Sequence, residues 1–272
     1  MAIPSIALIP SGYKANKVYS VLPTDGAGDL DFTRASSATR VNKEGLLETV
    51  STGVPRLDYS NGGCPSLLLE PQSTNLLPYS EEFTNAAWSK SNGGTGTVPA
   101  VTANQGLSPN GSLNAYRIQM NLNGGVSATD TSNLLDAISG TANVDYSLSI
   151  YLKSNNNNNY TLNFGDSNGV LQLVTVTPQW QRFKVVSNNA TTVKGLLVQL
   201  KGNQTSNSVD ILAYGAQLEQ QSYATSYIPT AGAISTRLLD AASKTGLGSY
   251  INSSEGALYA EISALADDGT YR

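Results

Sequence analysis

Apolar and polar residues alternate in short runs through the middle of the chain, which is the pattern of half-buried β-strands. Over residues 146–153, the even positions hold Tyr, Leu, Ile and Leu, whereas the odd positions hold Ser, Ser, Tyr and Lys. Runs of this kind predict strands at Ala115–Leu122, Tyr146–Lys153, Tyr160–Phe164, Val170–Val176, Gln181–Val186, Gly195–Leu200 and Val209–Leu218. Turn-forming Asn, Gly and Asp residues separate them without helical crossovers. Residues 73–230 are therefore predicted to form an antiparallel β-sandwich of the jelly-roll type.

The flanking regions show a different pattern. Residues 1–72 hold strand-length apolar runs broken by Pro and Gly, which predicts an irregular N-terminal region that needs a partner surface, such as another copy of the chain. Within residues 231–272, Ile234–Lys244 reads as a short helix or a linker, and Leu258–Ile262 reads as a strand without a partner. We expect this strand to begin a further β-domain in a longer chain, or to pair with a neighbouring chain. The predicted fold class is all-β throughout.

The composition favours an uncharged polar surface. Only 13% of the residues are charged, about half the usual ~25%, and the formal net charge is -4. Such a surface is typical of extracellular β-proteins, fibres and glycan binders. The 16 basic residues do not outnumber the 20 acidic ones. We expect no nucleic-acid partner, because proteins that bind DNA or RNA use Lys and Arg to neutralise phosphates.

Missing residue types exclude several chemistries. The chain has no histidine, which is the commonest general base and transition-metal ligand. Cys64 is the only cysteine, so an intrachain disulfide and a Cys-rich zinc site are excluded. No apolar run reaches the ~18 residues of a membrane-spanning helix. The N-terminal apolar stretch lacks the basic residues of a signal peptide. We expect a protein that has no membrane partner, is made in a cytoplasm, and leaves it by another route or never leaves. Assembly into a virion that lyses its host fits this combination.

Two parts of the chain resemble phage virion proteins. The first resemblance, to the leader of many phage head-fibre and tail-fibre proteins including those of gut Bacteroides phages, rests on residues 31–42, 45–48, 55–59 and 68–77. The second, to the family 4 carbohydrate-binding-module-like jelly roll that phages embed in such fibres, rests on residues 180–183, 214–219 and 224–230. The segment Glu255–Ile262 resembles the opening of a concanavalin-A-like lectin domain.

These resemblances imply a homotrimeric, non-enzymatic structural subunit of a phage particle. Residues 1–72 would anchor it to the capsid or to other virion proteins and support trimerisation. Residues 73–230 would form the carbohydrate-binding-module-like jelly roll, which touches host surface glycans. Residues 231–272 would be a linker and the start of the lectin-like domain. A head fibre on the capsid is the preferred interpretation, and a tail fibre or receptor-binding protein is the alternative.

Two further classes are disfavoured. A secreted bacterial glycan-binding module does not fit the missing signal peptide or the leader. A glycan-hydrolysing tailspike needs no histidine, because paired carboxylates can hydrolyse glycosides. However, the chain has few acidic residues and no repeating short-strand period of the β-helix type. We therefore expect no enzymatic activity.

Sugar binding needs aromatic platforms and hydroxyl-matched polar groups. The available aromatic candidates in the jelly roll are Trp88, Tyr116, Tyr151, Tyr160 and Trp180. Of these, Trp88, Tyr151 and Tyr160 are the candidate carbohydrate-binding residues. Core packing is the preferred interpretation for Trp180, which lies next to an alternating strand. For Trp88 and Tyr160, contact with a ligand and packing at the rim both remain open.

Charged residues supply two further hypotheses. The leader, residues 1–72, contains Arg34, Arg40 and Arg56. Arginine makes paired hydrogen bonds to carboxylates. We expect these three residues at a subunit or virion interface, the alternative being solvated loop charges. No cofactor is expected. Jelly rolls of this type often carry a structural calcium ion, for which the candidate ligands are Glu81, Glu82, Asp210 and Glu219.

Overall fold

The computed structural model describes residues 5–252 and 254–264, and its regular elements in this part of the chain are all strands. The strands are β1 Tyr13–Lys14, β2 Lys17–Val18, β3 Leu30–Thr33, β4 Ala38–Val41, β5 Leu47–Val50, β6 Leu57–Asp58, β7 Ser66–Leu67, β8 Ser73–Asn75, β9 Ser89–Gly93, β10 Ala100–Leu107, β11 Leu113–Asn121, β12 Thr131–Ser139, β13 Asp145–Ser154, β14 Tyr160–Asp166, β15 Leu171–Val176, β16 Gln181–Asn188, β17 Val193–Lys201, β18 Ser208–Glu219, β19 Ser235–Arg237 and β20 Ala241–Ser243. No helix of the length and apolarity needed to cross a membrane occurs in these residues.

The chain divides into two compact units. The N-terminal unit contains the described residues up to Ser73 together with those from Thr236 onwards. The second unit, Thr74–Ser235, is a β-sandwich of two five-stranded sheets. The first sheet has the order β10-β11-β18-β13-β16, and the second has the order β15-β14-β17-β12-β9. Neighbouring strands are antiparallel throughout both sheets. The prediction of an all-β chain with a sandwich of the jelly-roll type is confirmed.

Alternation along β13 determines which face of the first sheet meets the core. Tyr146, Leu148, Ile150 and Leu152 are at most 1% exposed and pack into the sandwich core. All strands predicted for the middle region are present, and their ends differ from the predicted ones by at most two residues. The sequence did not predict β9, β10 or β12. β9 is almost entirely polar, and β12 carries Ser132 and Asp136 on its buried face, which breaks the alternation.

Asp136 is an unusual member of the sandwich interior. It lies opposite Leu196 of β17 and is 3% exposed. Its Oδ2 atom has no hydrogen-bond partner among the described residues. The buried ammonium of Lys194, which is also on β17, instead donates to the backbone oxygen and Oδ1 of Asn189, at 3.2 and 2.6 Å. Burial raises the pKa of the Asp136 carboxyl to about 6, because a charged carboxylate is poorly solvated there.

The N-terminal unit is completed by the returning chain. Its four-stranded sheet has the order β1-β2-β3-β20, with Ala242 directly opposite Phe32. Ile234–Lys244 thus contains strands, and the prediction of a short helix or a linker there is wrong. The partner surface that the leader needs comes at least partly from the same chain. Leu258–Ile262 forms no strand and is exposed, because no neighbouring strand in the described residues pairs with it. Residues 265–272 of the expected lectin-like domain lie outside the described residues.

A buried group of charges, which we call the Asp240 cluster, joins the two parts of this unit. Its members are Arg34, Arg56, Glu70, Arg237 and Asp240. Arg34 Nη1 lies 3.0 Å from Asp240 Oδ1, Arg56 Nη1 lies 2.7 Å from Glu70 Oε2, and Arg56 also pairs with Asp240. The Glu70 backbone N–H donates to Asp240 Oδ2 at 3.0 Å. Burial lowers the pKa of Arg34, although Asp240 opposes this effect.

The cluster corrects the expectation for two of the leader arginines. Arg34 and Arg56 are 2% and 0% exposed, so neither is a solvated loop charge or a surface group that can reach another subunit. Arg34 also donates to the backbone oxygens of Ser51 and Val54, at 2.7 and 3.1 Å. Their carboxylate partner Asp240 lies about 200 residues away in sequence, and a local pattern does not reveal such a distant partner within the same chain.

Candidate ligand-binding face of the sandwich

The outer face of the first sheet combines aromatic and cationic side chains. Because the inner face of β13 carries Ile150 and Leu152, Tyr151 and Lys153 point to the opposite side. Arg182 of β16 lies directly across from Tyr151, with its guanidinium 5.4 Å from the centre of the Tyr151 ring. This arginine donates to Ser149 Oγ at 2.9 Å and to a backbone oxygen at 2.7 Å. Its position over the ring is therefore fixed by the protein itself.

Tyr151 rests on two buried tyrosines. Its ring centre lies 6.4 Å from those of both Tyr214 and Tyr227, which are 5.7 Å apart. Both hydroxyls donate to Glu81 Oε1, at 2.9 Å from Tyr214 and 2.8 Å from Tyr227. Burial and the nearby Glu81 carboxylate raise the pKa of both tyrosines, so their hydroxyls stay protonated and keep these bonds. Tyr214 and Tyr227, held by Glu81, provide a rigid base beneath the half-exposed Tyr151 ring.

A β-bulge in β18 makes room for this stack. The pairing of β13 with β18 shifts register between Ser149 and Tyr151. Gly215 sits at the shift with a φ of +61°, in the left-handed region that favours glycine. A Cβ atom at this position would lie 3.2 Å from both Tyr151 and Tyr227. The glycine is thus needed for the backbone conformation and for the close approach of the two rings.

A strap formed by residues 103–112 crosses this outer face. Gly106 lies so close over Leu212 of β18 that a Cβ atom would come within 2.5 Å of Leu212 Cδ1. The Leu107 backbone oxygen accepts a 3.1 Å hydrogen bond from Trp180 Nε1, and Asn110 Nδ2 donates to the Tyr214 hydroxyl at 3.1 Å. The strap therefore holds the half-exposed Trp180 indole at the edge of the face, beside the start of β16.

Charged groups border the face. Arg117 donates twice to Asp210, at 2.8 and 2.7 Å. These hydrogen bonds hold the pKa of Asp210 below its usual value, so this carboxylate is ionised and paired. Lys153 is half-buried close by on β13. The face thus offers two aromatic surfaces together with charged donors and acceptors.

The candidate calcium ligands are dispersed. Glu81 accepts from the two tyrosines, Asp210 pairs with Arg117, and Glu219 accepts from Thr225. Glu82 is exposed. The described part of the chain contains no group of three or more His, Cys, Asp or Glu residues that could hold a metal ion. These four residues thus offer no shared cradle for calcium.

The structure reverses the roles expected for the two tryptophans. Trp88 is 1% exposed, packs 4.8 Å from the Phe83 ring and donates Nε1 to the Tyr79 backbone oxygen at 2.8 Å. It is a core residue and not the sugar platform that the sequence suggested. Trp180, which was expected in the core, lies outside it. Tyr160 packs at the rim of the core, and its hydroxyl oxygen accepts a 2.7 Å hydrogen bond from Asn156 Nδ2.

Sequence reasoning missed a row of polar side chains on the outer face of the second sheet. Ser91, Asn133, Gln199 and Asn163 lie opposite one another on four strands. Hydrogen bonds of 3.3, 2.8 and 3.2 Å connect them in that order. Amides are uncommon within strands, which was the available signal. The row lacks an aromatic partner, so the Tyr151 face is the better candidate for binding a ligand.

Arg40 differs from the other leader arginines. It is partly exposed, pairs with Glu48 at 2.9 Å and donates to the Tyr13 hydroxyl at 3.0 Å. Its expected role at a subunit or virion interface stays a prediction.

Comparisons with known proteins find similarity to solved structures only. No protein-family model and no curated protein sequence matches the chain. Among solved structures, a family 11 carbohydrate-binding module from Clostridium thermocellum aligns with 58% of this chain and 97% of its own, at 8% identity and a TM-score of 0.35. A CBM4 structure aligns with 46% and 87%, at 14% identity and 0.32. The enzymatically active domain of bacteriophage CBA120 tailspike protein 4 aligns with 51% and 20%, at 14% identity and 0.33.

Proposed function

We propose that the chain is a non-enzymatic structural subunit whose β-sandwich binds glycans on the Tyr151 face. The observation that carries this proposal is the pair of half-exposed aromatic side chains, Tyr151 and Trp180, held beside Lys153 and Arg182 on one sheet face. Sugar rings present apolar C–H surfaces that pack on aromatic rings, and their hydroxyls need donors and acceptors beside them. The stacked tyrosines and the strap fix both aromatic rings before the ligand arrives, which reduces the ordering cost of binding.

We further propose that this module belongs to a phage appendage. The leader resemblance of residues 31–77 supports a homotrimeric head fibre whose residues 1–72 dock to the capsid or to other virion proteins, with the jelly roll projecting outwards. A tail fibre or receptor-binding protein is the alternative. Cryo-electron microscopy of intact particles separates the two, because a head fibre gives density on the capsid and a receptor-binding protein gives density at the tail. Density at neither place would refute the virion assignment.

A glycan array with the full chain tests the binding face. We expect Trp180→Ala and Tyr151→Ala each to weaken binding of the best array ligand at least tenfold. Leu173→Ala is the matched control, because Leu173 is an exposed apolar residue on the second sheet. Fluorescence of the core residue Trp88 verifies folding of each variant. Equal binding by all variants would refute the face, and no binding by the wild-type chain would refute glycan recognition by the sandwich. Release of new reducing ends from the bound glycan would contradict the non-enzymatic assignment.

A further inference from the structure

The N-terminal unit contains a polar pocket that the proposed function does not use. It has a volume of about 440 Å³, which lies within the ~300–1,000 Å³ of small-molecule sites. Its lining comes from the start of β1, the β4–β5 hairpin and the residues around β6, and it includes Tyr13, Arg40, Asn42, Lys43, Glu44, Glu48 and Tyr59. We call it the Tyr13 pocket.

The walls of the Tyr13 pocket are held in place by hydrogen bonds within the unit. Arg40 is fixed between Glu48 Oε2, at 2.9 Å, and the Tyr13 hydroxyl, at 3.0 Å, with its guanidinium 5.3 Å from the centre of the Tyr13 ring. The backbone N–H of Tyr59 donates to the Val41 oxygen of β4 at 3.0 Å. The pocket is therefore formed before any ligand binds.

The β4–β5 turn that forms the rim is equally ordered. Asn42 Oδ1 accepts from the backbone N–H groups of Glu44 and Leu46, at 3.1 and 2.9 Å. Gly45 follows with a φ of +78°, as a tight turn of this kind requires. The exposed residues Lys43 and Glu44 of this turn are part of the pocket lining.

The charges and free polar groups define the ligand chemistry. Arg40 and Lys43 balance Glu44 and Glu48, so the lining is formally neutral and favours neither an anion nor a cation. Among the described residues, the Lys43 ammonium, the Glu44 carboxylate and Asn42 Nδ2 make no side-chain hydrogen bond or ion pair, which leaves both donors and acceptors available. Tyr13 and Tyr59 add aromatic surface. A ligand matches this set if it has an apolar ring face and hydroxyl groups, which both donate and accept hydrogen bonds. A neutral saccharide has these features.

We propose that the Tyr13 pocket is a second saccharide site, separate from the Tyr151 face and specific for neutral sugars. It would bind one or two sugar residues, so that each copy of the chain carries two glycan contacts on different units. Two weak contacts on one chain strengthen attachment to a surface through effective concentration, without any new contact between them.

Saturation-transfer NMR and calorimetric titration of the full chain test the proposal. The probes are neutral di- to tetrasaccharides of glucose, galactose, mannose and xylose, and the background is Trp180→Ala, which weakens binding at the sandwich site. We expect Tyr59→Ala, and separately the double variant Lys43→Ala/Glu44→Ala, to weaken the remaining binding at least fivefold. Lys14→Ala is the matched control, because Lys14 is exposed on β1 and does not line the pocket.

Each outcome decides the assignment. Residual binding that falls in both pocket variants and not in Lys14→Ala supports the proposal, whatever the result for the Tyr151 face. No residual binding in the Trp180→Ala background, or binding that the pocket variants leave unchanged, overturns it. Binding of glucuronate or galacturonate oligosaccharides in preference to the neutral probes overturns the neutral-sugar specificity.

Discussion

The buried carboxyl of Asp136 makes the stability of the sandwich depend on pH in an uncommon direction. In an unfolded chain this group has its ordinary pKa of 3.8, whereas burial raises it to about 6 in the fold. The folded state thus holds the proton more tightly, and stability falls as the pH rises from about 4 to about 6. One pKa unit equals ~1.36 kcal/mol, so the full loss is about 3 kcal/mol, of which about 2 kcal/mol falls between pH 4 and pH 7.

Asp136→Asn removes this proton without changing the size of the side chain. We expect the free energy of unfolding of the variant, minus that of the wild type, to grow by about 2 kcal/mol between pH 4 and pH 7. Urea unfolding followed by tryptophan fluorescence measures this difference for the sandwich alone, because Trp88 and Trp180 are the only tryptophans of the chain and both lie in that unit. The static effect of burying an amide cancels, since it is the same at each pH.

Asp145→Asn is the control, because Asp145 is a carboxylate at the end of β13 that accepts a hydrogen bond from Asn188 in an exposed setting. A stability difference for Asp136→Asn that stays constant within about 0.5 kcal/mol across this pH range would refute the reasoning. Such a result would mean that the carboxyl is solvated or paired in the folded protein. It would contradict the 3% exposure of Asp136 and the lack of a described partner for Oδ2.

Other substitutions test the Asp240 cluster, the core tryptophan and the β-bulge. Asp240→Asn should destabilise the N-terminal unit by about 3–5 kcal/mol in calorimetry, whereas the exposed Asp31→Asn should cost under about 1 kcal/mol; equal effects would contradict the burial argument. Trp88→Ala should lower the free energy of unfolding by about 3–5 kcal/mol, measured by circular dichroism, because it leaves a cavity in the core. A decrease below about 1 kcal/mol would contradict the burial of Trp88. Gly215→Ala should lower the free energy of unfolding by about 1–3 kcal/mol and weaken glycan binding by displacing Tyr151. Unchanged binding would show that the β-bulge is not needed for the binding site.

The sequence predicts those strands whose alternation reflects burial on one face. β13 is the clearest case, because its core-facing positions from Tyr146 to Leu152 are all apolar and its outward positions are polar or amphipathic. β12 escapes prediction because Ser132 and Asp136 face inward, and β9 because it lies at a sheet edge and is almost entirely polar. In both strands the sheet neighbours determine the structure, and a local pattern does not contain that information.

The candidate site was only partly predictable for a related reason. Tyr151 follows from the face assignment of its own strand. The exchange of Trp88 and Trp180 does not, because Trp88 is buried by Phe83 and the Tyr79 oxygen, while Trp180 is held outside the core by the strap. Local polarity around a tryptophan is a poor guide when contacts from distant segments determine its burial.

The return of the chain to its N-terminal unit has a consequence for folding during synthesis. The sandwich is one continuous segment, Thr74–Ser235, so all of its strands leave the ribosome before β20 does. Synthesis proceeds at ~5–20 residues per second, so β20, the strand that pairs with β3, is made about 10–30 s after Ser73. During that interval Arg34 and Arg56 lack Asp240, their shared carboxylate partner. A chain that is cut short before residue 240 would therefore carry a finished sandwich on an open leader, and a protease could distinguish it from the complete product.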